Sequence, residues 1–451
     1  MADSKQSVDM LNGGLAKKLL VFALPLAASS ILQQLFNSVD VAVVGKFDTS
    51  TGQAAVGCNA PVINLLINLF GGLSIGANVV ISTYIGQGKK EKAKDTVHTA
   101  MAISMISGVL LLFLGMIFAR PVLEWMDTPT DILNQAVIYL KIYFIGMPFV
   151  MVYNFGAAIL RCVGDTKKPL YALIVSGVVN TILNLFLVIG FHLGVVGVAI
   201  ATVVSNVISS TFVLICLTKA DEIIRLNLKG IAVKTSELSK IMKVGLPAGI
   251  QTSVFSIANI FIQAALNGYG SDAVAGSSVT LNYEIYEYYM VTAFGQAAVT
   301  FVSQNYGANK YKRCRKIFYE CIGMAIFAVI IMSTTFVTGR SFFIGLFTSK
   351  PEVAHYAEIR MFYLLIPYIL ITTYEISGAA LRGIGYSMTP AIITMIGTCV
   401  LRLTWIYTVC RRVREFRMLM IVYPISWIVT GSICLIVYFI LSGRLTEKQS
   451  A

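Results

Sequence analysis

The chain predicts an all-α polytopic membrane protein of twelve transmembrane helices in two six-helix lobes related by pseudo-twofold symmetry. Three observations carry that prediction. Hydrophobic residues make up 57% of the 451 residues and charged ones only 13%, about half the roughly 25% usual for soluble domains. Apolar runs of about 20 residues, the length that crosses a bilayer, recur through the whole chain. Two ten-residue stretches, Leu160 to Pro169 and Leu381 to Pro390, keep Leu-Arg, Gly and Pro at identical spacing 221 residues apart. The register continues outside them, with Ser82, Gly86 and Lys89 opposite Ser303, Gly307 and Lys310, so one half is written twice.

In order, the runs lie near 17–43, 53–84, 94–118, 132–158, 168–190 and 194–218 in the first half. In the second they lie near 238–266, 273–304, 316–338, 353–379, 388–409 and 418–441. Each is long, continuous and rich in Leu, Ile, Val and Ala. Barrel strands would instead alternate over about ten residues, so the class is all-helical. The first run follows a polar tail, Met1 to Asn12, and leads straight into further spans, unlike a cleavable signal. The expected lobes are 1–218 and 238–451, joined by a polar, mixed-charge connector at 219–237. An even number of spans per half makes the repeat parallel, as in transporters with a cleft between two bundles.

The net charge of +13 is first a topological signal, because Lys and Arg concentrate in cytoplasmic loops. With both termini cytoplasmic, the tails and even-numbered loops hold 24 of the 35 basic residues. Odd-numbered loops hold eight, and four of those form one cluster, Arg411, Arg412, Arg414 and Arg417, which breaks the rule. The cluster is an outward basic patch, a re-entrant segment or the mark of a miscounted span. Charges dispersed over loops, with no aromatic-interleaved basic stripe, argue against nucleic acid. The eight Cys lack metal-ligand spacing, and His98, His192 and His355 are far apart in sequence, so no metal site or cofactor is expected. No Gly-rich phosphate loop points to ATP, and no nucleophile setting points to an enzyme.

Polar groups inside the spans are costly and tend to face a cavity or a partner. On the first span Gln33, Asn37 and Asp40 share one face by their i, i+4, i+7 spacing, with Gln34 beside them. Asn180 and Asn184 on the fifth span and Thr202 on the sixth are placed to meet Asp40 in the first lobe. Amides hydrogen-bond a carboxylic acid or offer carbonyl oxygens to a cation. In the second lobe Glu284 and Glu287 are neighbours on one helical face, and desolvated carboxylates that close do not both ionise easily. They lie among Asn282, Tyr283 and Tyr286, aromatic faces suited to a lipophilic cation. Glu375 beside Tyr374 is the fourth acid. Asn259, Gln263 and Asn267 make a polar stripe on the seventh span, but Phe261 and Ile262 stand where the repeat would match Asp40. Arg402 either pairs with one of the second-lobe glutamates or snorkels to a surface. Plainer readings stand beside these: Asp40 solvated at the interface, the asparagines as interhelical hydrogen bonds, and the tyrosines as an interface belt with the glutamate pair in water. Prolines recur in matched places, Pro25 with Pro247 and Pro148 with Pro367, joined by Pro61 and Pro424, as kinks or hinges.

Leu24-Pro25 to Val39-Asp40, Val44-Gly45, Tyr84-Ile85-Gly86-Gln87-Gly88, the two Leu-Arg-x-x-Gly-x-x-x-x-Pro segments, and Asn180 to Gly197 with Gly190-Phe191-His192-Leu193-Gly194 together resemble the multidrug and toxic compound extrusion (MATE) family of bacterial type. The likeness covers essentially the whole chain. It implies a twelve-helix secondary antiporter of the cell membrane that exports small cationic, lipophilic compounds in exchange for protons or sodium ions by alternating access. By the same likeness Asp40 matches the first-span acid that binds the coupling ion, with Asn180, Asn184 and Thr202 as its polar neighbourhood. Some members carry an acid where Asn184 stands here, and members with a second-lobe ion site use a span-seven acid that this chain lacks. Glu284, Glu287 and Glu375 are substitutes inferred from placement. The candidate substrate-binding set is Gln33, Gln34, Asn37, Asn259, Gln263, Asn282, Tyr283, Tyr286 and Tyr374. A monomer in the lipid bilayer is expected. The alternatives are a lipid-linked or polysaccharide flippase of the same superfamily and, from another class, an intramembrane enzyme or a non-transporting receptor.

Overall fold

The computed structural model describes residues 8–47 and 50–450. Met1 to Ser7 of the expected tail and Ala451 at the end of the expected second lobe lie outside the described residues. Every regular element among the described residues is helical. The helices are α1 (Ala16–Phe47), α2 (Thr51–Gly86), α3 (Lys90–Trp125), α4 (Thr130–Ile145 and Met147–Cys162, bent by 47°), α5 (Lys167–Gly190), α6 (Gly194–Thr218), α7 (Thr235–Asn267), α8 (Ser271–Gly307), α9 (Tyr311–Thr338), α10 (Pro351–Gly383), α11 (Met388–Arg412) and α12 (Phe416–Leu445). Ten of them are long and apolar enough to cross a membrane, and the bent α4 pair makes an eleventh. The twelfth, α8, has 37 residues but carries Asp272, Asn282, Glu284 and Glu287, which lower its hydropathy. The fold is therefore the expected twelve-helix one, with the most polar span in the second half.

Large apolar side chains cover the outside of these helices. On α3, Leu110, Phe113 and Ile117 are 46%, 59% and 64% exposed, at the spacing of one helical face. A soluble protein would aggregate through such stripes, whereas hydrocarbon solvates them.

The repeated motifs build repeated turns. Asp165 N donates to Leu160 O at 3.1 Å and Tyr386 N to Leu381 O at 2.9 Å. In both, the intervening glycine, Gly164 at φ +84° or Gly385 at φ +93°, takes the left-handed backbone that closes a helix. This is why Leu-Arg-x-x-Gly is written twice. The turn after the second span is repeated as well: Lys89 N donates to Tyr84 O and Lys310 N to Asn305 O. Here the positive φ falls on Gly88 (+69°) in one copy and on Asn309 (+56°) in the other, the residue types that tolerate it best. Matched prolines also break matched helices. Pro148 follows the α4 bend, and Pro367 lies in a short 3-10 turn, Ile366–Tyr368, inside α10. Pro61 opens the long part of α2, where the buried Asn59 amide donates to Ala55 O and Ala136 O at 2.7 and 3.1 Å.

By packing, the chain forms two compact units. One contains residues 8–9 and Ala28–Gly249, apart from the two undescribed residues 48–49, the other Met10–Ala27 and 250–450. Thus α1 and α7 each serve both units, and each changes unit two residues past its proline, Pro25 or Pro247. The connector belongs to the first unit, where Lys234 Nζ pairs with Asp95 at 2.6 Å and Glu237 accepts from Thr96 at 3.1 Å. In that unit the first part of α7 lies on α2 through two small-xxx-small pairs, Gly72 with Gly76 and Gly245 with Gly249. A Cβ on Gly72 would stand 2.2 Å from Gly249 N, and one on Gly249 2.1 Å from Leu69 O. Helix backbones in lipid gain contact in this way, because burial of apolar surface does not drive them together. In the second unit Met10 and the start of α1 are fixed at the α8–α9 turn. Asn305 donates to Met10 O at 3.0 Å, Lys310 to Leu11 O at 2.9 Å and Arg313 to Gly13 O at 2.9 Å.

The Gly88 turn makes a direct test of the doubling. Gly88→Asn, which copies the second half, should leave the melting temperature of the detergent-purified protein nearly unchanged. Gly88→Val, with open space around it, should still cost about 1–2 kcal/mol through left-handed strain.

Candidate functional site

The structure brings Asp40, Asn180, Asn184 and Thr202 together inside the first unit. Asp40 is 6% exposed, Asn180 4% and Asn184 0%, so Asp40 is not a surface carboxylate. Asn184 Nδ2 donates to Asp40 Oδ1 and, at 3.1 Å, to Asn180 Oδ1. Thr202 Oγ1 donates to Asp40 Oδ2 at 3.2 Å and to Val198 O at 2.9 Å. Among the described residues no Lys, Arg or His nitrogen lies within ion-pair distance of Asp40, so every partner the protein supplies is neutral. Asn184 Oδ1 is buried without a hydrogen-bond donor. The cluster thus holds carboxylate, amide and hydroxyl oxygens, a donor set suited to a proton or a hard cation.

Two backbone features make this meeting possible. Gly177 lies one turn before Asn180, and a Cβ there would stand 1.8 Å from the Phe36 ring, one turn before Asp40. Only glycine lets α1 and α5 approach this closely. Directly after Asn184 the helix widens into a π-helical turn, Phe186–Gly190, a feature common at functional sites. α11, the fifth span of the second half, also has one, at Met395–Val400. Neither turn is legible in the pattern of apolar residues. Tyr139 and Tyr143 on α4 were not singled out by sequence; Tyr139 is buried, and their rings stand 6.1 Å apart. Their i, i+4 spacing in an apolar run was the available signal.

The second unit treats its acids differently. Glu284, half-buried, is held by Arg360 of α10 at 2.9 Å. Glu375 faces Arg382 at 3.8 Å, and Arg382 reaches Gln251 Oε1 at 3.3 Å. Glu287 is 0% exposed, so the reading of this pair as water-exposed fails for it. It accepts from Ser333 Oγ at 2.9 Å, while its Oε2 is buried without a hydrogen-bond partner. Arg402 neither snorkels nor pairs with a glutamate. It is 2% exposed, donates to Ser426 Oγ at 2.9 Å and stacks on Tyr423 at 4.5 Å from the ring centre. Glu284 and Glu375 are already engaged by arginines on or beside their own helices, which is why the expected pairing does not form. Arg360 and Ser333 are residues that spacing did not single out, and Arg382 stood out only as part of the repeated Leu-Arg motif.

The candidate binding residues separate by exposure. Gln33 and Asn37 of α1, Asn259 and Gln263 of α7 and Asn282 of α8 are exposed, and Gln34 and Tyr286 are half-buried. Gln263 Nε2 donates to Asn267 Oδ1 at 3.0 Å, so part of the α7 stripe is internally bonded. Tyr283 is buried among Phe336, Phe343 and Phe347 and donates to Phe343 O at 2.7 Å. Tyr374, 6% exposed, is likewise part of the core.

An all-helical, lipid-coated chain with internally repeated halves and a buried carboxylate amid neutral donors has the form of a membrane transporter. Comparison with known proteins agrees. The MatE family model matches residues 25–186 and 247–408, once in each half, and the chain belongs to that family. It is similar to the probable multidrug resistance protein YoeA of Bacillus subtilis, 28% identical over 390 residues, which cover 84% of this chain and 83% of the relative. It is also similar to the multidrug export protein MepA of Staphylococcus haemolyticus, 24% identical, covering 83% of this chain and 80% of the relative. Among solved structures, an outward-facing multidrug resistance MATE family transporter of the MOP superfamily matches with a TM-score of 0.92 at 22% identity. That match covers 99% of this chain and all of the other, and it bears on the fold alone.

Two variants test this geometry. Gly177→Ala should destabilise the protein by about 1–3 kcal/mol through overpacking, and Phe36→Ala in the same chain should recover most of the loss in thermal melting. Glu284→Gln should cost about 3 kcal/mol by leaving Arg360 without its carboxylate, and adding Arg360→Met should restore most of it.

Proposed function

We propose that the protein is a secondary antiporter that exports cationic, lipophilic compounds in exchange for protons or sodium ions by alternating access, with both termini cytoplasmic. The observation that carries this reading is Asp40, a buried carboxylate whose partners are all neutral. A charge in that setting is costly, so a mobile cation neutralises it: a proton or sodium ion in one half of the cycle. Asn180, Asn184 and Thr202 keep the carboxylate oriented and share the arriving ion. Glu284 and Glu375 have resident arginines and need no mobile partner. Among the described residues Glu287 is bonded by Ser333 alone, and it acts as the second-unit group able to carry a proton.

Coupling follows from differential affinity. Loading Asp40 removes the negative charge that favours a cationic substrate, so ion and drug bind in alternation. Gln33 and Asn37, exposed on the helix that carries Asp40, offer polar contacts to that substrate. A membrane potential adds about 2.3 kcal/mol per elementary charge per 100 mV. The names of the relatives, multidrug resistance and export proteins, support drugs as the cargo. Pro25 and Pro247, each two residues before its helix changes unit, are where α1 and α7 bend during the exchange.

The test is efflux of a fluorescent lipophilic cation from proteoliposomes under separately imposed proton and sodium gradients. Wild type should respond to at least one gradient. Asp40→Asn should lose gradient-driven efflux while keeping its melting temperature within a few degrees, and full efflux in that variant would remove Asp40 from the mechanism.

A further inference from the structure

Four arginines, Arg411 and Arg412 at the end of α11, Arg414 in the turn and Arg417 at the start of α12, lie exposed. Among the described residues none of them has a carboxylate within ion-pair distance. They are held on a fixed frame. Tyr269 Oη donates to Glu415 O at 3.2 Å, Trp405 Nε1 donates to Met418 O at 2.9 Å, and the Phe416 ring meets Tyr269 and Tyr356 edge-on at 5.8 and 4.9 Å. Arg417 borders a cavity of about 420 Å³ lined also by His355, Glu358, Ile359, Phe362 and Tyr363.

The lining is graded. His355, Glu358 or Ile359, and Phe362 fall on one face of α10, and the seven steps from His355 to Phe362 span about 10 Å of depth at 1.5 Å per residue. The end at the helix terminus is polar and the inner end apolar, with Phe362 41% exposed. Arg340 lies 3.5 Å from Glu358 and neutralises it, so the uncompensated charge of the groove is that of Arg417 and its neighbours. The first unit contains the same groove without the charge. A cavity of about 230 Å³ there is lined by Gln135, Ile138 and 192–196, which fall opposite 356, 359 and 413–417 at the repeat spacing of 221 residues. The doubled scaffold therefore makes the groove in both halves, and packing of the groove does not require arginine.

We propose that the second-unit groove binds an anionic phospholipid, with the headgroup phosphate at Arg417 and an acyl chain along Ile359 and Phe362. Basic side chains at the headgroup level with an apolar channel beneath match such a lipid in both charge and depth. The α11–α12 turn is at the opposite end of the second unit from the α8–α9 turn that holds Met10 to Gly13. With a cytoplasmic amino terminus the lipid belongs to the outer leaflet, and its charge answers the four arginines that break the positive-inside pattern.

The test uses the full chain purified in detergent and titrated with short-chain phosphatidylglycerol, phosphatidylcholine or inorganic phosphate, read by melting temperature and by lipid retained in native mass spectrometry. Phosphatidylglycerol should bind saturably and raise the melting temperature, and the other two should not at equal concentration. Arg417→Gln and Arg414→Gln should each weaken phosphatidylglycerol about fivefold, and His192→Gln in the first-unit groove should not. Wild-type affinity in both arginine variants, equal binding of phosphatidylcholine, or reproduction of the effect by inorganic phosphate alone would each overturn the proposal.

Discussion

The constraint on which the rest depends is a buried carboxylate that, among the described residues, has no Lys, Arg or His beside it. Asp40 is buried against two asparagines and a threonine, groups that orient a charge without cancelling it. The protein reaches that arrangement by bringing two helix backbones unusually close, with Gly177 against Phe36. Replacing any neutral partner by arginine would give a stable ion pair and a dead site. The second unit shows that alternative in the same molecule, where Arg360 holds Glu284 and Arg382 stands beside Glu375.

The two halves share a scaffold and divide the chemistry. Turns recur at Gly164 and Gly385 and at Gly88 and Asn309, and proline breaks recur in α4 and α10. Some buried polar groups recur, Ser82 with Ser303 and Thr166 with Ser387, but the buried charges do not. Where the first half has an unpaired acid on α1, the second has a buried arginine on α11, satisfied by a serine and an aromatic ring. The shared use of α1 and α7 by both packing units follows from the same doubling, since each half begins with a span that carries an early proline.

Much of this was legible in the residues. Apolar runs of bilayer length marked the spans, including 273–304, which proves to be the polar α8. Asp40 with Asn180, Asn184 and Thr202 was legible because amides and acids are rare in such runs and their spacing put them on single faces. The fates of Glu284 and Glu375 were not, since nothing in the spacing ties Arg360 to Glu284 and Arg382 stood out as a repeat residue rather than as a partner for an acid. The α2–α7 glycine contact was hidden for a related reason. Gly72, Gly76, Gly245 and Gly249 carry no chemistry, and their role appears only when two backbones touch. Tyr283 was misjudged because an aromatic residue near acids looks the same in sequence whether it faces a ligand or, as here, three phenylalanines.

The central claim is that a small cation and the exported compound compete for one buried negative charge. It is tested most directly by adding a lipophilic cation to the purified protein in weak buffer and measuring protons released, with a parallel sodium-displacement arm. The account predicts stoichiometric release of one ion or the other by wild type and none by Asp40→Asn. Tight binding of the compound to wild type with no ion displaced in either arm would contradict it.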